Sequence, residues 1–340
     1  MSYAVADLNG DNRTDLMIFC QDSTMINVLI ADSNGLFEEV ILIPINIFYI
    51  LLICVGDLNG DGLVDLIVGH INFDERGVII LYGNGDGTFE TEGNDTLPIR
   101  SYPNDIAVID LNDDNKLDVI VASAHSTNIY IYYGNGNKTF SQSTLFIGRI
   151  CNPMRLTIAD FNNDSYLDIA VFNDQSLHIY VFFKNADGNF QSPKLLYTAY
   201  FTYTVHLGSG IFHNEYQSNM IFLYSEQETV SRLYRYSNGS FHVNEQIVVD
   251  SFIPLNFDSV LVHDLNGDKY SDIVLSAYTS YAFYILLGSE NGNFQIQYIS
   301  LSDINDLDFN NNTCHDAVRV HFGMGNLLYI LFNTCDCSTP

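Results

Sequence analysis

Nine residues, Asp57-Leu58-Asn59-Gly60-Asp61-Gly62-Leu63-Val64-Asp65, constrain the fold of this chain more than any other stretch. Oxygen-bearing side chains stand at positions 1, 3, 5 and 9 of the nine, with glycine at position 6. A hard divalent cation such as calcium takes about six to eight oxygens at about 2.3–2.6 Å. Alternate side chains of a tightly wound loop turn inward together. Asp57, Asn59 and Asp61 can therefore converge, the carbonyl of Leu63 can join them, and Asp65 can close the shell. Gly62 permits the sharp bend that brings the ninth residue back.

One such loop says little, because Asp, Asn and Gly are ordinary turn residues. The chain holds five strict copies, beginning at Asp7, Asp57, Asp110, Asp160 and Asp264, with spacings of 50, 53, 50 and 104 residues, the last being two periods. Turn chemistry alone does not keep Asp at positions 1, 5 and 9 and Asn at 3 throughout. The candidate ligands are Asp7, Asn9, Asp11, the Arg13 carbonyl and Asp15 in the first loop, and Asp57, Asn59, Asp61, the Leu63 carbonyl and Asp65 in the second. In the third and fourth they are Asp110, Asn112, Asp114, the Lys116 carbonyl and Asp118, then Asp160, Asn162, Asp164, the Tyr166 carbonyl and Asp168. The last strict loop offers Asp264, Asn266, Asp268, the Tyr270 carbonyl and Asp272. A looser copy, Asp308 to Asp316, has Asn312 at its fifth position and only two carboxylates, so a weaker site is expected there.

The loops sit in a repeating grammar of β-type segments. An apolar run precedes the loop (Ile106 to Ile109) and a second follows it (Val119 to Val121). An aromatic-rich third (Ile129 to Tyr133) leads into a glycine-rich turn ending in phenylalanine (Gly134 to Phe140), and a fourth strand continues to the next repeat. Four strands per period of about 50 residues is the pattern of a propeller blade. The expected fold is all-β, a single seven-bladed β-propeller of four-stranded antiparallel blades over 1–340. Its repeats run roughly 1–49, 50–102, 103–152, 153–203, 204–256, 257–300 and 301–340, the last short of one strand. The fifth repeat reads as a blade whose cation loop has decayed, where His213-Asn-Glu-Tyr216 stands. The longest apolar run, Val40 to Val55, is broken by Pro44 and Asn46 and too short for a spanning helix, so it reads as two strands.

Composition narrows the function. With 13 Lys+Arg against 41 Asp+Glu the net charge is −28, which argues against nucleic acid, whose phosphates need basic contacts. Five bound divalent cations would bring −28 to −18. Of the six cysteines, Cys20, Cys54 and Cys151 read as buried free thiols, while Cys335 or Cys337 can bond back to Cys314. The start, Met1 to Asp7, enters the first repeat with no basic leader region, as in an intracellular protein or a piece of a longer one. Six N-x-S/T sequons, at Asn12, Asn94, Asn137, Asn163, Asn238 and Asn311, favour an extracellular or cell-surface setting instead.

An EF-hand needs a bidentate Glu at position 12, where Val68 stands, and that reading fails. The D-x-N-x-D-G-x-x-D loop, its flanking strands and the turn Gly83-Asn-Gly-Asp-Gly-Thr-Phe89 instead resemble the FG-GAP (VCBS-type) repeat family, the calcium-binding propellers of integrin alpha chains and many secreted proteins. The resemblance implies structural calcium and an adhesion or recognition role, with ligands on the positions named above. No G-x-S-x-G, H-E-x-x-H or P-loop motif points to catalysis. A monomer binding a protein or a glycan is expected, through the face opposite the cation loops. That face should carry 72–76, Ser101 to Asn104, Arg149 to Arg155 and 278–281. A lectin and a scaffold domain of a larger protein are the alternatives. Insertion into a membrane is not expected.

Overall fold

The computed structural model describes residues 2–19, 25–31, 37–45, 47, 49–71, 76–91, 95–99, 101–148, 152–198, 205–212, 219–224, 229–235, 241–248, 257–264, 268–277 and 282–300. Each of the first six repeats forms one antiparallel sheet with its strands in chain order. The first sheet holds β1 (Ser2–Ala6), β2 (Asp15–Phe19), β3 (Met25–Ala31) and β4 (Phe37–Pro44). The second holds β5 (Tyr49–Gly56), β6 (Asp65–Ile71), β7 (Arg76–Leu81) and β8 (Asp95–Pro98). The third holds β9 (Pro103–Ile109), β10 (Asp118–Ser123), β11 (Asn128–Gly134) and β12 (Phe140–Phe146). In the fourth stand β13 (Pro153–Ala159), β14 (Asp168–Asn173), β15 (His178–Phe182) and β16 (Lys194–Thr198). The fifth is built from β17 (Val205–Gly210), β18 (Asn219–Tyr224), β19 (Thr229–Arg235) and β20 (Phe241–Val248). The sixth comprises β21 (Phe257–His263), β22 (Asp272–Ala277), β23 (Ala282–Leu287) and β24 (Gln295–Ser300).

Six four-stranded blades therefore stand among the described residues. The expected seventh, 301–340, lies outside them, as does the Asp308 loop. The fifth repeat is a complete sheet although its loop lacks the acidic pattern. The Val40 to Val55 run divides between β4 and β5, as Pro44 and Asn46 require.

Contacts divide the chain into two compact units, Met1–Leu156 with Asn173–Ser176, and Thr157–Phe172 with the chain from Leu177 on. The fourth sheet has residues in both. Within the first unit, the second strand of each blade is the most deeply covered element: every residue of β10 is buried, and all of β6 but Ile71. Such runs of Val and Ile, apolar on both faces, fit a strand sandwiched between neighbouring sheets. One face of the second blade packs with the first around Met17, Val28, Leu66, Val68 and Phe89. The other packs with the third around Ile67, Ile80, Val119, Tyr130 and Tyr132. In the second unit, Phe212, Ile221, Ile273, Leu275 and Leu286 form the equivalent core between the fifth and sixth blades.

Glycine opens the 3–4 turn in the second, third and sixth blades for a packing reason, whereas Ala31 and Lys184 stand there in the first and fourth. A Cβ added to Gly83, Gly134 or Gly288 would lie far inside van der Waals contact with the carbonyl oxygen of Val64, Leu117 or Ser271 respectively, the eighth residue of the blade's own loop. Gly134→Ala should therefore destabilise the chain by roughly 1–3 kcal/mol, as overpacking does. Denaturant unfolding of the variant against wild type checks this.

Candidate functional site

The hairpin between the first and second strands of each blade carries the acidic loop. Its second residue anchors it: Leu8, Leu58, Leu111 and Phe161 are all buried plugs. Burying one such side chain contributes about 1.5–3 kcal/mol. Above the plug the chain winds around the first aspartate. In the second loop, Asp57 Oδ1 accepts the N–H of Gly60 at 2.7 Å and of Asp61 at 3.2 Å, and Oδ2 accepts that of Gly62 at 2.8 Å. Asn59 Oδ1 accepts the Asp61 N–H at 2.8 Å, and Asp61 Oδ1 accepts the Leu63 N–H at 2.9 Å.

The other loops repeat this pattern. Asp110 takes the N–H groups of Asp113, Asp114 and Asn115, and Asp114 takes that of Lys116. Asp7 takes those of Gly10, Asp11 and Asn12. Asp160 takes those of Asn162, Asp164 and Ser165. In the last strict loop, Asp264 accepts from Asp268 and Lys269, and Asp268 from Tyr270, while Asn266 lies outside the described residues. The structure thus gathers positions 1, 3 and 5 at one partly exposed point in four loops, and positions 1 and 5 in the fifth.

Position 6 is left-handed whatever occupies it: φ is 62° at Asn12, 83° at Gly62, 62° at Asn115, 71° at Ser165 and 76° at Lys269. Position 4 is left-handed as well, at Gly10, Gly60, Asp113 and Asn163. Asn and Asp tolerate this region, whereas Ser and Lys do so at a cost. The bend expected of position 6 alone is therefore shared with position 4. The frequent Asn, Asp and Gly at both positions are the signal that could have shown it.

The ninth aspartate points the other way, into the fold. Asp15, Asp65, Asp118, Asp168 and Asp272 are all fully buried. Burial pushes the carboxyls of Asp15 and Asp65 above the usual range, Asp118 to about 6 and Asp168 to about 7, against backbone hydrogen bonds that pull down. Among the described residues no three His, Cys, Asp or Glu side chains converge as a metal cluster. Each of the first four loops presents two carboxylates and an amide outward, with the third carboxylate turned to the backbone.

The donor set still fits a hard cation. It consists of carboxylate and amide oxygens, which suit calcium and not a soft metal that prefers sulfur. A carboxylate offers about four lone-pair sites, so the N–H groups already bound leave capacity on the first and fifth aspartates. The 3–4 turns lie at the same end of the blades. The Gly87 N–H, in the second blade's turn, donates to the Leu8 carbonyl in the first blade's loop at 3.0 Å.

At the opposite end, the segments at 72–75 and 278–281 lie outside the described residues. Where the chain is described, the nominated arginine is already engaged. Arg155 Nη1 donates to the carbonyls of Asn104 and Met154 at 3.2 and 3.0 Å, and Asn104 Nδ2 donates to the Pro153 carbonyl. Asn152, between the third and fourth blades, accepts the His125 N–H through Oδ1 and the Asp174 N–H through its carbonyl. Its own N–H donates to Asn173 Oδ1. Cys54 is a free thiol, its S–H directed to the Ile106 carbonyl and its pKa pushed up to about 12 by burial. The other five cysteines, and with them the expected bond to Cys314, lie outside the described residues. Of the sequons, Asn137 stands exposed in a 3–4 turn, whereas Asn12 and Asn163 lie within acidic loops.

Residues 7–68, 57–121 and 110–171 match the FG-GAP-like repeat family. No curated protein matches the chain significantly. Among solved structures, the chain is similar to an Agrocybe aegerita lectin described as recognising non-reducing terminal N-acetylglucosamine. The two are 16% identical over 87% of this chain and 79% of that one, with a TM-score of 0.62. It is also similar to BBS1N in complex with ARL6DN, at 13% identity, 87% and 81% coverage and a TM-score of 0.60. A third likeness is to virginiamycin B lyase from Staphylococcus aureus, at 10% identity, 88% and 84% coverage and a TM-score of 0.57. At such identities the likenesses speak for the fold alone, a β-propeller of four-stranded antiparallel blades.

Asp105, at the start of β9, gives a pH test away from the acidic loops. Its Oδ2 accepts the Leu156 N–H at 2.9 Å, and burial raises its carboxyl to about 6 against that bond and the charge of Arg155. Its folded pKa lies above the unfolded value of about 4, so its stabilising contribution is full below pH 4 and is lost as pH rises through 6. The wild type should lose roughly 2–3 kcal/mol more than Asp105→Asn between about pH 4 and pH 7. Denaturant midpoints of both proteins across that range check it. By sequence, residues 7–171 are a run of FG-GAP-like repeats.

Proposed function

We propose that this chain is a calcium-stabilised propeller serving as an extracellular adhesion or protein-recognition module, its cations structural. The observation that carries this reading is the common winding of the acidic loops. Four place the acceptors of positions 1, 3 and 5 together, and the fifth those of 1 and 5. All five hold position 6 left-handed, even with Ser165 or Lys269 there. A winding kept at that cost in unrelated side-chain contexts is what a shared ligand shell demands. The ligands proposed are the side chains at positions 1, 3 and 5 and the carbonyl at 7 of each strict loop, with the buried carboxylate at 9 contributing the lone pairs that its backbone hydrogen bonds leave unused. The bound cation supplies charge neutralisation to a chain of net charge −28.

A non-catalytic role is part of the proposal. Carboxylates committed to a cation shell are not free to divide acid and base work between them, and solved propellers with similar folds include a lyase as well as a lectin, so the fold decides nothing about chemistry. The partner would meet the end opposite the acidic loops. An extracellular setting supports both the weak, many-site use of calcium and the exposed sequon at Asn137. Glycan recognition is the second reading, favoured by the fold shared with the lectin. A glycan array distinguishes it, since binding there would displace the protein-partner reading.

Thermal unfolding in calcium against excess chelator tests the cation. Each site held at about 100 times its Kd stabilises by about 2.7 kcal/mol, so the melting temperature should rise by several degrees in calcium. Asp61→Ala should lose part of that rise. Superimposable curves with and without chelator would contradict the proposal.

A further inference from the structure

We propose that the ninth residue of each loop (Asp15, Asp65, Asp118, Asp168 and Asp272) is a positioning residue that fastens the loop to the end of the third strand, whether or not a cation is present. The inference deepens the cation reading but rests on hairpin geometry that is independent of it.

One carboxylate oxygen reaches back to the loop's own second residue. Asp15 Oδ2 accepts the Leu8 N–H at 2.9 Å, Asp65 that of Leu58 at 2.8 Å, Asp118 that of Leu111 at 2.9 Å and Asp168 that of Phe161 at 3.1 Å. The other oxygen reaches forward to the residue at the third strand's end. Oδ1 accepts the N–H of Ala31 at 2.9 Å, Gly83 at 3.0 Å, Gly134 at 2.9 Å, Lys184 at 2.9 Å and, from Asp272, Gly288 at 2.7 Å. All five carboxylates are fully buried.

Two buried backbone donors from distant parts of the blade therefore depend on one side chain, and neither can turn to water. Only a carboxylate answers both with acceptors. An amide presents an NH2 to one of them and leaves that donor opposed.

Strand register pairs the last residue of the first strand with the first of the second: Ala6 with Asp15, Gly56 with Asp65, Ile109 with Asp118 and His263 with Asp272. The same register pairs Gly210 with Asn219. Eight residues before Asn219 stands Ile211, so in this blade the first and the ninth positions have both lost their carboxylates.

The clamp also ties the loop to the neighbouring turn. Gly83, Gly134 and Gly288 open three of the 3–4 turns, where the carbonyl of the loop's eighth residue leaves no room for a Cβ. Loop and turn are thus one rigid piece, and a cation held at positions 1, 3 and 5 acts on the turn through position 9.

The test is amide hydrogen exchange of Asp118→Asn and wild type, both in excess chelator. The amides of Leu111 and Gly134 should exchange about tenfold faster or more in the variant, ahead of the amides inside β10 and β11, and the melting temperature should fall by several degrees. If Asp118→Asn does not fold, Asp15→Asn is read in the same way at Leu8 and Ala31. Wild-type exchange at both amides in chelator, with a difference emerging only when calcium is added, would overturn the proposal. An absence of any calcium effect on wild type would sink the cation reading and leave this one standing.

Discussion

In the first four blades a buried carboxylate that accepts two backbone N–H groups ties the acidic loop to the neighbouring turn. Aspartate at the first residue of the second strand is an expensive choice for a position sealed from water, and its raised pKa at Asp118 and Asp168 records the cost. What offsets that cost is that the loop's second residue and the residue opening the 3–4 turn both need an acceptor there. From this one contact follow the direction of the loop, the depth of its apolar plug and the close approach of the glycine that starts the next turn.

The cage and the clamp share a nine-residue motif but answer to different physics. Positions 1, 3 and 5 lie at the water boundary, where winding around Asp57 or Asp110 concentrates oxygen atoms without burying charge. Position 9 lies in the core, where its partners are fixed dipoles. A divalent cation would join the two by drawing on the lone pairs that each leaves unused. Clustered negative charge is otherwise a standing repulsion in a chain of net charge −28, so the same loops that invite a cation resist folding without one.

Much of this was legible in the residues. The recurrence of Asp-x-Asn-x-Asp with a ninth Asp located the hairpins, and alternating apolar runs such as Ile106 to Ile109 and Val119 to Val121 placed the first two strands of the third blade. The fifth repeat, read as a blade with a decayed loop, forms a complete sheet. What escaped was orientation. Nothing in the spelling of Asp65 distinguishes a carboxylate facing a cation from one facing Leu58 and Gly83, because that depends on which backbone donors the finished hairpin leaves unpaired. Arg155 escaped for a similar reason. Its segment was expected on the partner-binding face, but Arg155 lies in β13 and its Nη1 donates to the carbonyls of Asn104 and Met154. The left-handed fourth position was masked by residues that serve equally well in any turn.

The fold leaves the chemistry undecided, since similar propellers include a glycan-binding protein, a partner-bound domain and a lyase. Function therefore turns on the acidic hairpins, and a direct count of bound cation tests their role best. Calorimetric titration of the chelator-stripped chain with calcium should saturate at about five equivalents, one for each strict loop. Heats no larger than those of buffer, with no calcium retained after dialysis, would contradict it.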